Sequence, residues 1–520
     1  MMSYLMTVDA GTGSVRAVVF DLEGNEISIS QREWTHKSEN GVPNSMNFDW
    51  VEGWNKTKKC IKESIEKANI DPKEILAVTA TSMREGIVLY DKEGDEIWAV
   101  ANVDARAFKE VRELKEKYPS IEEEFYKISG QTFALGALPR LLWVKKNRPE
   151  IYEKTAKISM ISDWVLAKLS GVIASDPSNA GTSGIFSLAK RDWEPEMARR
   201  VGLRDDIFPP VLESGEVLGK VSFEAAKETA LSTDTLVVMG GGDVQMASLG
   251  LGVVKEGDTA VIGGSFWQQV VNMDEPLVAE DMSIRVNPHV IKGISQAEGI
   301  TFFSGLVMRW FRDAFCLLEK IEAKKVGIDP YVLLEEMASR VPVGSYGIVP
   351  IFSDKMNYGK WYHAAPSFLN LSLDPTVCNK ASMFRSLEEN AAIVSAKNLD
   401  KISSFTKTFS KKIVFAGGAS KGFLWPKILA DVTGRKVKIP VVKEATSLGG
   451  AMAAGVGAGV YESMESAANK LVKFEKIYEP DMQNHEIYKD VAKRWERAYK
   501  KQLELVDEGV LESMWKAPGL

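Results

Sequence analysis

The chain has 520 residues, of which 45% are hydrophobic and 26% charged, with a formal net charge of −6. That length makes two or more domains the starting expectation, and the acidic balance speaks against a nucleic-acid or anionic-membrane surface while leaving room for a local phosphate pocket. Three cysteines (Cys60, Cys316, Cys378) and four histidines (His36, His289, His363, His485) are too scattered to suggest a disulfide framework or a zinc site. The N-terminus has no basic segment and Asp9 interrupts its apolar run, so it does not read as a signal peptide; a reduced, cytoplasmic enzyme is expected.

The first element is MTVDAGTGSVRAVVFDLEG. Asp9 closes an apolar run, and Gly11, Thr12 and Gly13 follow. A dinucleotide-binding turn would need a third glycine where Arg16 stands, and would open a helix. Here Val15, Ala17 and Val19 alternate with Ser14, Arg16 and Val18, which predicts a strand. Strand, tight turn, strand describes either an ordinary β-hairpin or a cradle whose backbone N–H groups converge on a phosphate. ILAVTATSM and EGIVLYD predict strands, and FKEVRELKEKY, residues 108–118, a charged helix. PRLLWVKKNRPEIYEK and SDWVLAKLSG predict helices, and TLVVMGGGDV a buried strand running into a glycine turn. DTAVIGGSFWQQVVNMD, residues 258–274, repeats the opening pattern of strand, glycine turn with a hydroxyl, strand. A third glycine turn, in IVFAGGASKGFLWPKILADV, enters a helix near Phe423. LGGAMAAGVGAGV, residues 448–460, is too short to span a bilayer and predicts a packed, small-residue helix. The alternation of strands and helices is α/β, and the division falls just after GGGDVQ, separating residues 1–246 from 247–520.

These turns fit the needs of phosphoryl transfer, which asks for a phosphate cradle, a carboxylate to keep Mg²⁺ through water, and a base for the attacking hydroxyl. Thr12, Gly13 and Arg16 can supply the cradle, Asp9 can orient hydrated Mg²⁺, and Asp243 is the candidate base. Gly264 and Ser265 can bind phosphate from the opposite side. Gly417, Gly418 and Ala419 can pass close under a flat adenine. An Asp after glycines is also common in plain turns, so Asp243 draws its weight from this company.

The strings DAGTGSVRA, SMREG, NVDARA, GGGDVQ, GGSFW and AGGASKGFLW, in that order, resemble the FGGY family of carbohydrate kinases over nearly the whole chain. The resemblance implies two actin-like, RNase H-like domains with ATP and a sugar in the cleft between them. It implies that Asp243 is the catalytic base, that Asp9, Gly11 and Thr12 form the phosphate-contacting turn with Arg16 downstream, and that Arg84 and Glu85 grip the acceptor. Gln245 is a further acceptor contact, and Asp104 and Arg106 match a D-x-R that braces the site or touches sugar. Asn102 stands where relatives often carry Trp, and Phe133 where glycerol-type kinases have a ligand-contacting Tyr; Ala419 replaces the third glycine of the adenine turn. Longer strings, among them SMREGIVLYDKEGDEIWAVANVDARA, DPSNAGTSG and RVNPHVI, narrow the resemblance to a branch acting on the linear signal precursor 4,5-dihydroxypentane-2,3-dione at its terminal hydroxyl. Tyr362 and His363 could line a route to the site or belong to an aromatic core. The competing readings are a sibling kinase for a pentulose or polyol such as xylulose or glycerol, and a non-catalytic nucleotide-dependent chaperone or sensor on the same fold. Some glycerol kinases of the family answer to phosphotransfer-system proteins, so the resemblance extends to a regulatory partner of that kind, although no residue here demonstrates one.

Overall fold

The computed structural model describes residues 2–514 apart from 134, 355–362 and 409. Its two halves are each built on a sheet of the same design. In the first, the strand order is Val217–Lys220, Leu236–Gly242, Ile75–Ser82, Tyr4–Ala10, Ser14–Asp21, Glu26–Glu33. The last three form an antiparallel meander, and Ile75–Ser82 and Leu236–Gly242 join it in parallel. In the second, Ser295–Thr301, Trp267–Met273 and Thr259–Gly263 form the meander. Lys412–Ala416 and Lys436–Pro440 add in parallel, while Arg285–Pro288 and Phe474–Tyr478 pair antiparallel at the edges. The likeness of the two glycine hairpins in the sequence is therefore a likeness of whole sheets. Tyr4–Ala10 is buried along its entire length, as a strand covered on both faces must be, and this is why its sequence is apolar without alternation.

The charged helix forms over Phe108–Lys117 and the third glycine turn leads into a helix at Leu424–Thr433. PRLLWVKKNRPEIYEK is two helices, Ala137–Asn147 and Pro149–Lys154. Arg148 breaks it, since the residue before a proline is pushed out of helical geometry.

Two helices tie the halves together. Asp243–Gly250 leaves the strand that carries the three glycines, and Ala445–Gly457 follows Lys436–Pro440 of the second sheet but packs on the first. They cross almost backbone to backbone. A Cβ on Gly449 would lie 2.0 Å from the Met246 carbonyl oxygen, and one on Gly250 would lie 1.9 Å from that of Ala445. On the sheet side, a Cβ on Gly450 would meet the Thr7 methyl at 2.4 Å, and the Thr7 hydroxyl donates to the Ser447 carbonyl at 2.8 Å. The small residues of LGGAMAAGVG are thus the condition for this approach. Among the described residues no helix is long and apolar enough to cross a membrane.

Candidate active site

The first hairpin sets Asp9 directly opposite Arg16 in the strand register. Arg16 Nε lies 3.0 Å from Asp9 Oδ2, and the other end of the guanidinium pairs with Glu444, at the start of the glycine helix. Asp9 is buried, which raises its carboxyl above the ordinary range although the Arg16 charge opposes this. A Cβ on Gly13 would meet nothing within 4 Å, so ligand atoms can come close to this turn there, whereas one on Gly11 would touch the Ser14 carbonyl oxygen at 3.4 Å. Asn102 reaches the turn from its own loop and donates to the Thr12 hydroxyl at 3.0 Å.

Arg84 and Glu85 follow the strand Ile75–Ser82. Glu85 sits in the left-handed region at φ 64°, a conformation that a non-glycine residue holds only when its surroundings enforce it. The enforcing group is Arg140. Its buried guanidinium donates to the carbonyls of Glu85, Asn102 and Asp104 together and so ties the loop after Ile75–Ser82 to the loop that carries Asn102 and Asp104. Arg106 donates to Asp104 at 2.8 Å and lies over the Trp98 and Trp143 rings, so this pair braces the loop.

Asp243 begins its helix immediately after Gly242. The glycines before it are required by space: a Cβ on Gly240 would fall 1.7 Å from the Ala80 carbonyl oxygen, and one on Gly241 would fall 2.7 Å from the Ser178 hydroxyl. The Asp243 side chain is 37% accessible and stands 3.9 Å from Arg84 Nε. Desolvation pushes its carboxyl up to about 7; Arg84 opposes the shift, and the neighbouring charges of Asp9 and Glu85 add to it. A carboxyl that changes charge near neutrality is suited to taking a proton and passing it on.

Gln245 is fully buried and donates to Glu298 Oε1 at 2.7 Å. The same oxygen accepts from Arg84 at 2.6 Å and from Asn287 at 2.7 Å. Glu298 belongs to the second sheet, so Arg84 reaches across to the other half. In return Arg285, on the edge strand of that sheet, pairs with Glu85. Gln131 supports Arg285 by accepting from its Nε at 2.8 Å. None of Arg285, Glu298, Asn287, Gln131 and Arg140 was singled out as a contact by the sequence. Phe133, the expected acceptor contact, packs edge-on against Phe125 in an apolar core, so its ring is not among the groups brought together here. Gln131, two residues earlier on that loop, joins the network instead.

The second hairpin turns through Gly264, Ser265 and Phe266. Gly264 and Ser265, together with Gly418 and Ala419 of the third turn, line a cavity of about 700 Å³ that also touches Trp425, Glu335 and Tyr331. Gly417 adopts φ 94°, and a Cβ there would strike the Gly263 carbonyl oxygen at 2.5 Å, whereas Gly418 has open space on its Cβ side. Glu335 holds the turn by accepting from the backbone N–H groups of Phe423 and Leu424 at 2.7 and 3.1 Å. His363 is buried, with its ring 4.2 Å from that of Phe302, and is a core residue; Tyr362 lies outside the described residues.

The donor set around Asp9 fits hydrated Mg²⁺, which needs one or two carboxylates with phosphate and water completing the shell. Among the described residues there is no group of three or more His, Cys, Asp or Glu side chains that could hold a dehydrated metal ion.

Models of the FGGY family of carbohydrate kinases match the chain, the N-terminal domain over residues 4–250 and the C-terminal domain over residues 270–458. The autoinducer-2 kinase of Enterobacter sp. (strain 638) is 57% identical over 520 residues, covering 100% of this chain and 98% of its own length. That of Escherichia coli (strain K12) is 57% identical over 518 residues, covering 99% and 98%. Among solved structures, ligand-bound xylulose kinase from Lactobacillus acidophilus superposes with a TM-score of 0.84 at 16% identity over 98% of this chain and 99% of that one. Plasmodium falciparum glycerol kinase with ADP gives a TM-score of 0.83 at 19% identity over 96% and 98%. At those identities the structures speak for the fold alone.

Proposed function

Because the chain belongs to the FGGY family of carbohydrate kinases, we infer that the groups gathered around Asp243 carry out ATP-dependent phosphorylation of autoinducer-2. The observation that supports the assignment of roles is the position of Asp243. Its side chain is 37% accessible, its carboxyl is pushed up to about 7, and it is flanked by the charges of Arg84, Glu85 and Asp9.

The acceptor, read as the open-chain dihydroxy dione, lies against Arg84, Glu85 and Asn102, while Gln245, expected as a further contact, is fully buried and braces Glu298 behind them. Arg84 offers donors to its carbonyl oxygens, and Glu85 accepts from its hydroxyls. The guanidiniums around Glu85 keep it ionised for this: burial pushes its carboxyl up, but Arg285, Arg84 and Arg140 outweigh the burial and hold it below the usual range. Asp243 accepts the proton of the terminal hydroxyl as that oxygen attacks the γ-phosphorus. The backbone N–H groups of Gly11, Thr12 and Gly13 and the Arg16 guanidinium meet the phosphate oxygens from one side, and Gly264 and Ser265 from the other. Adenine rests over Gly418 and Ala419 in the 700 Å³ cavity, and Gly417 shapes the turn that presents them. Asp9 would hold Mg²⁺ through water, and the ion supplies charge neutralisation on the phosphates. The first half thus brings the acceptor grip, the first phosphate turn and the base, and the second half the opposite phosphate turn and the adenine cavity; the division falls after the helix Asp243–Gly250, which the boundary at 246 would cut.

The test is acceptor-dependent ADP release with MgATP and a panel of dihydroxypentanedione, xylulose, ribulose and glycerol. A preference for the dione is expected. A preference for a pentulose or polyol would replace the acceptor, and ADP release without any acceptor would point to the chaperone or sensor reading.

A further inference from the structure

The Arg84–Glu85 pair is not held by its own half. Arg84 is 5% exposed and donates to Glu298 Oε1 at 2.6 Å; Glu85 pairs with Arg285. Glu298 and Arg285 face each other on neighbouring strands of the second sheet, in register. Two dipeptide neighbours of one half are therefore clasped by two strand neighbours of the other, with the charges crossed: cation to anion, anion to cation. The clasp is buried, since Glu298 is 2% and Arg285 7% exposed. It is also braced, through Gln131 on Arg285 and through Gln245 and Asn287 on Glu298. The second sheet's edge strand is pressed against the first half here. Gln131 donates to the Val286 carbonyl at 2.8 Å, and a Cβ on Gly130 would lie 2.5 Å from that oxygen.

We propose that Arg285 and Glu298 are positioning residues of the acceptor site, Arg285 aiming the Glu85 carboxylate and Glu298 extending the Arg84 guanidinium toward the acceptor's oxygens. The inference rests on the reading of Arg84 and Glu85 as the acceptor grip. Without Glu298, the Arg84 guanidinium would have a choice of partners, with Asp243 already 3.9 Å away. Arg84 drawn onto Asp243 would both leave the acceptor and occupy the base. Without Arg285, the charges that still act on Glu85 are those of Arg84 and Arg140, which favour its ionised form, and that of Asp243, which opposes it. The largest opposing charge would be gone while the burial that disfavours ionisation remained.

The experiment compares Arg285→Ala, Arg285→Gln, Arg285→Lys, Glu298→Gln and Glu85→Ala, reading acceptor KM, ATP KM, kcat and melting temperature at pH 8 and pH 6. Losing a charge-assisted hydrogen bond in the grip should raise acceptor KM about tenfold or more, with ATP KM within about twofold. For Arg285→Ala and Arg285→Gln the acceptor KM should worsen further at pH 6, as Glu85 takes up a proton, and Arg285→Lys should recover part of the loss. If Arg285→Ala fails to fold, Arg285→Gln carries the same test. An unchanged acceptor KM in the Arg285 and Glu298 variants, with Glu85→Ala impaired, would overturn the inference. Equal rises in both KM values with a lowered melting temperature would overturn it too, by reducing the clasp to a structural joint. An unchanged acceptor KM in Glu85→Ala would overturn the reading of the grip itself.

Discussion

Lowering the pH should switch this enzyme off near neutrality, well above the range where an ordinary aspartate titrates. Asp243 must be ionised to accept a proton, and its carboxyl is pushed up to about 7. A single group with that value is about 91% ionised at pH 8 and about 9% at pH 6, so kcat/KM for the acceptor should fall about tenfold between them. The sign follows from the role: the protonated form is the inactive one, so activity is lost as pH falls. With an ordinary aspartate the same interval would change the rate by under about 1%. The cause can be tested separately, because the Asp9 charge contributes to the upward shift. Asp9→Asn should move the acid limb to lower pH even as it lowers the maximal rate. The assay is initial-rate ADP release at limiting acceptor and saturating MgATP, with the acceptor's own stability checked at each pH. A flat profile from pH 8 to 6, or a limb that Asp9→Asn leaves in place, would refute the electrostatic argument.

Asp243→Ala should lower kcat by about two to four orders of magnitude while leaving nucleotide binding and the melting temperature near those of the parent, as measured by ADP titration and thermal unfolding. Gly418→Leu should raise ATP KM with little change in stability, because Gly418 lines the cavity proposed for the nucleotide and a Cβ there meets nothing within 4 Å. Gly417→Ala should instead destabilise, since its φ of 94° and the Gly263 carbonyl at 2.5 Å leave no room. Gly449→Ala should cost about 1–3 kcal/mol in unfolding free energy, because a Cβ 2.0 Å from the Met246 carbonyl forces the two crossing helices apart. The same substitution should reduce kcat, as Asp243 stands three residues before Met246 on the displaced helix.

What the sequence shows well is local. The glycine turns announce themselves because their chemistry is written in consecutive residues, and both hairpins and the third glycine turn form where they are read. GGGDVQ is legible for the same reason. The partners of Arg84 and Glu85 are not, because they lie 214 and 200 residues away. Glu298 sits inside SQAEGIT, and nothing local distinguishes a carboxylate facing a cleft from one facing solvent. Arg285 opens RVNPHVI, a string whose resemblance is visible but whose chemistry appears only when the sheet edge docks on the other half. Phe133 shows the converse failure. Its place along the chain is right for a ligand contact, but a phenyl ring without a hydroxyl gains more from the Phe125 core than from a polar cleft.

The contact between the two glycine-bearing helices carries one further consequence. Where main chain rests on main chain, there is no flexible side chain to compress and no room to glide, so the crossing acts as a fulcrum. Met246 lies there, only about 5 Å along the helix axis from Asp243. Any tilt of one half against the other sweeps distant walls through a wide arc and leaves Asp243 almost stationary. On the roles proposed above, closure about such a point would bring Gly264 and Ser265 toward Asp243 while Asp243 itself stays in place.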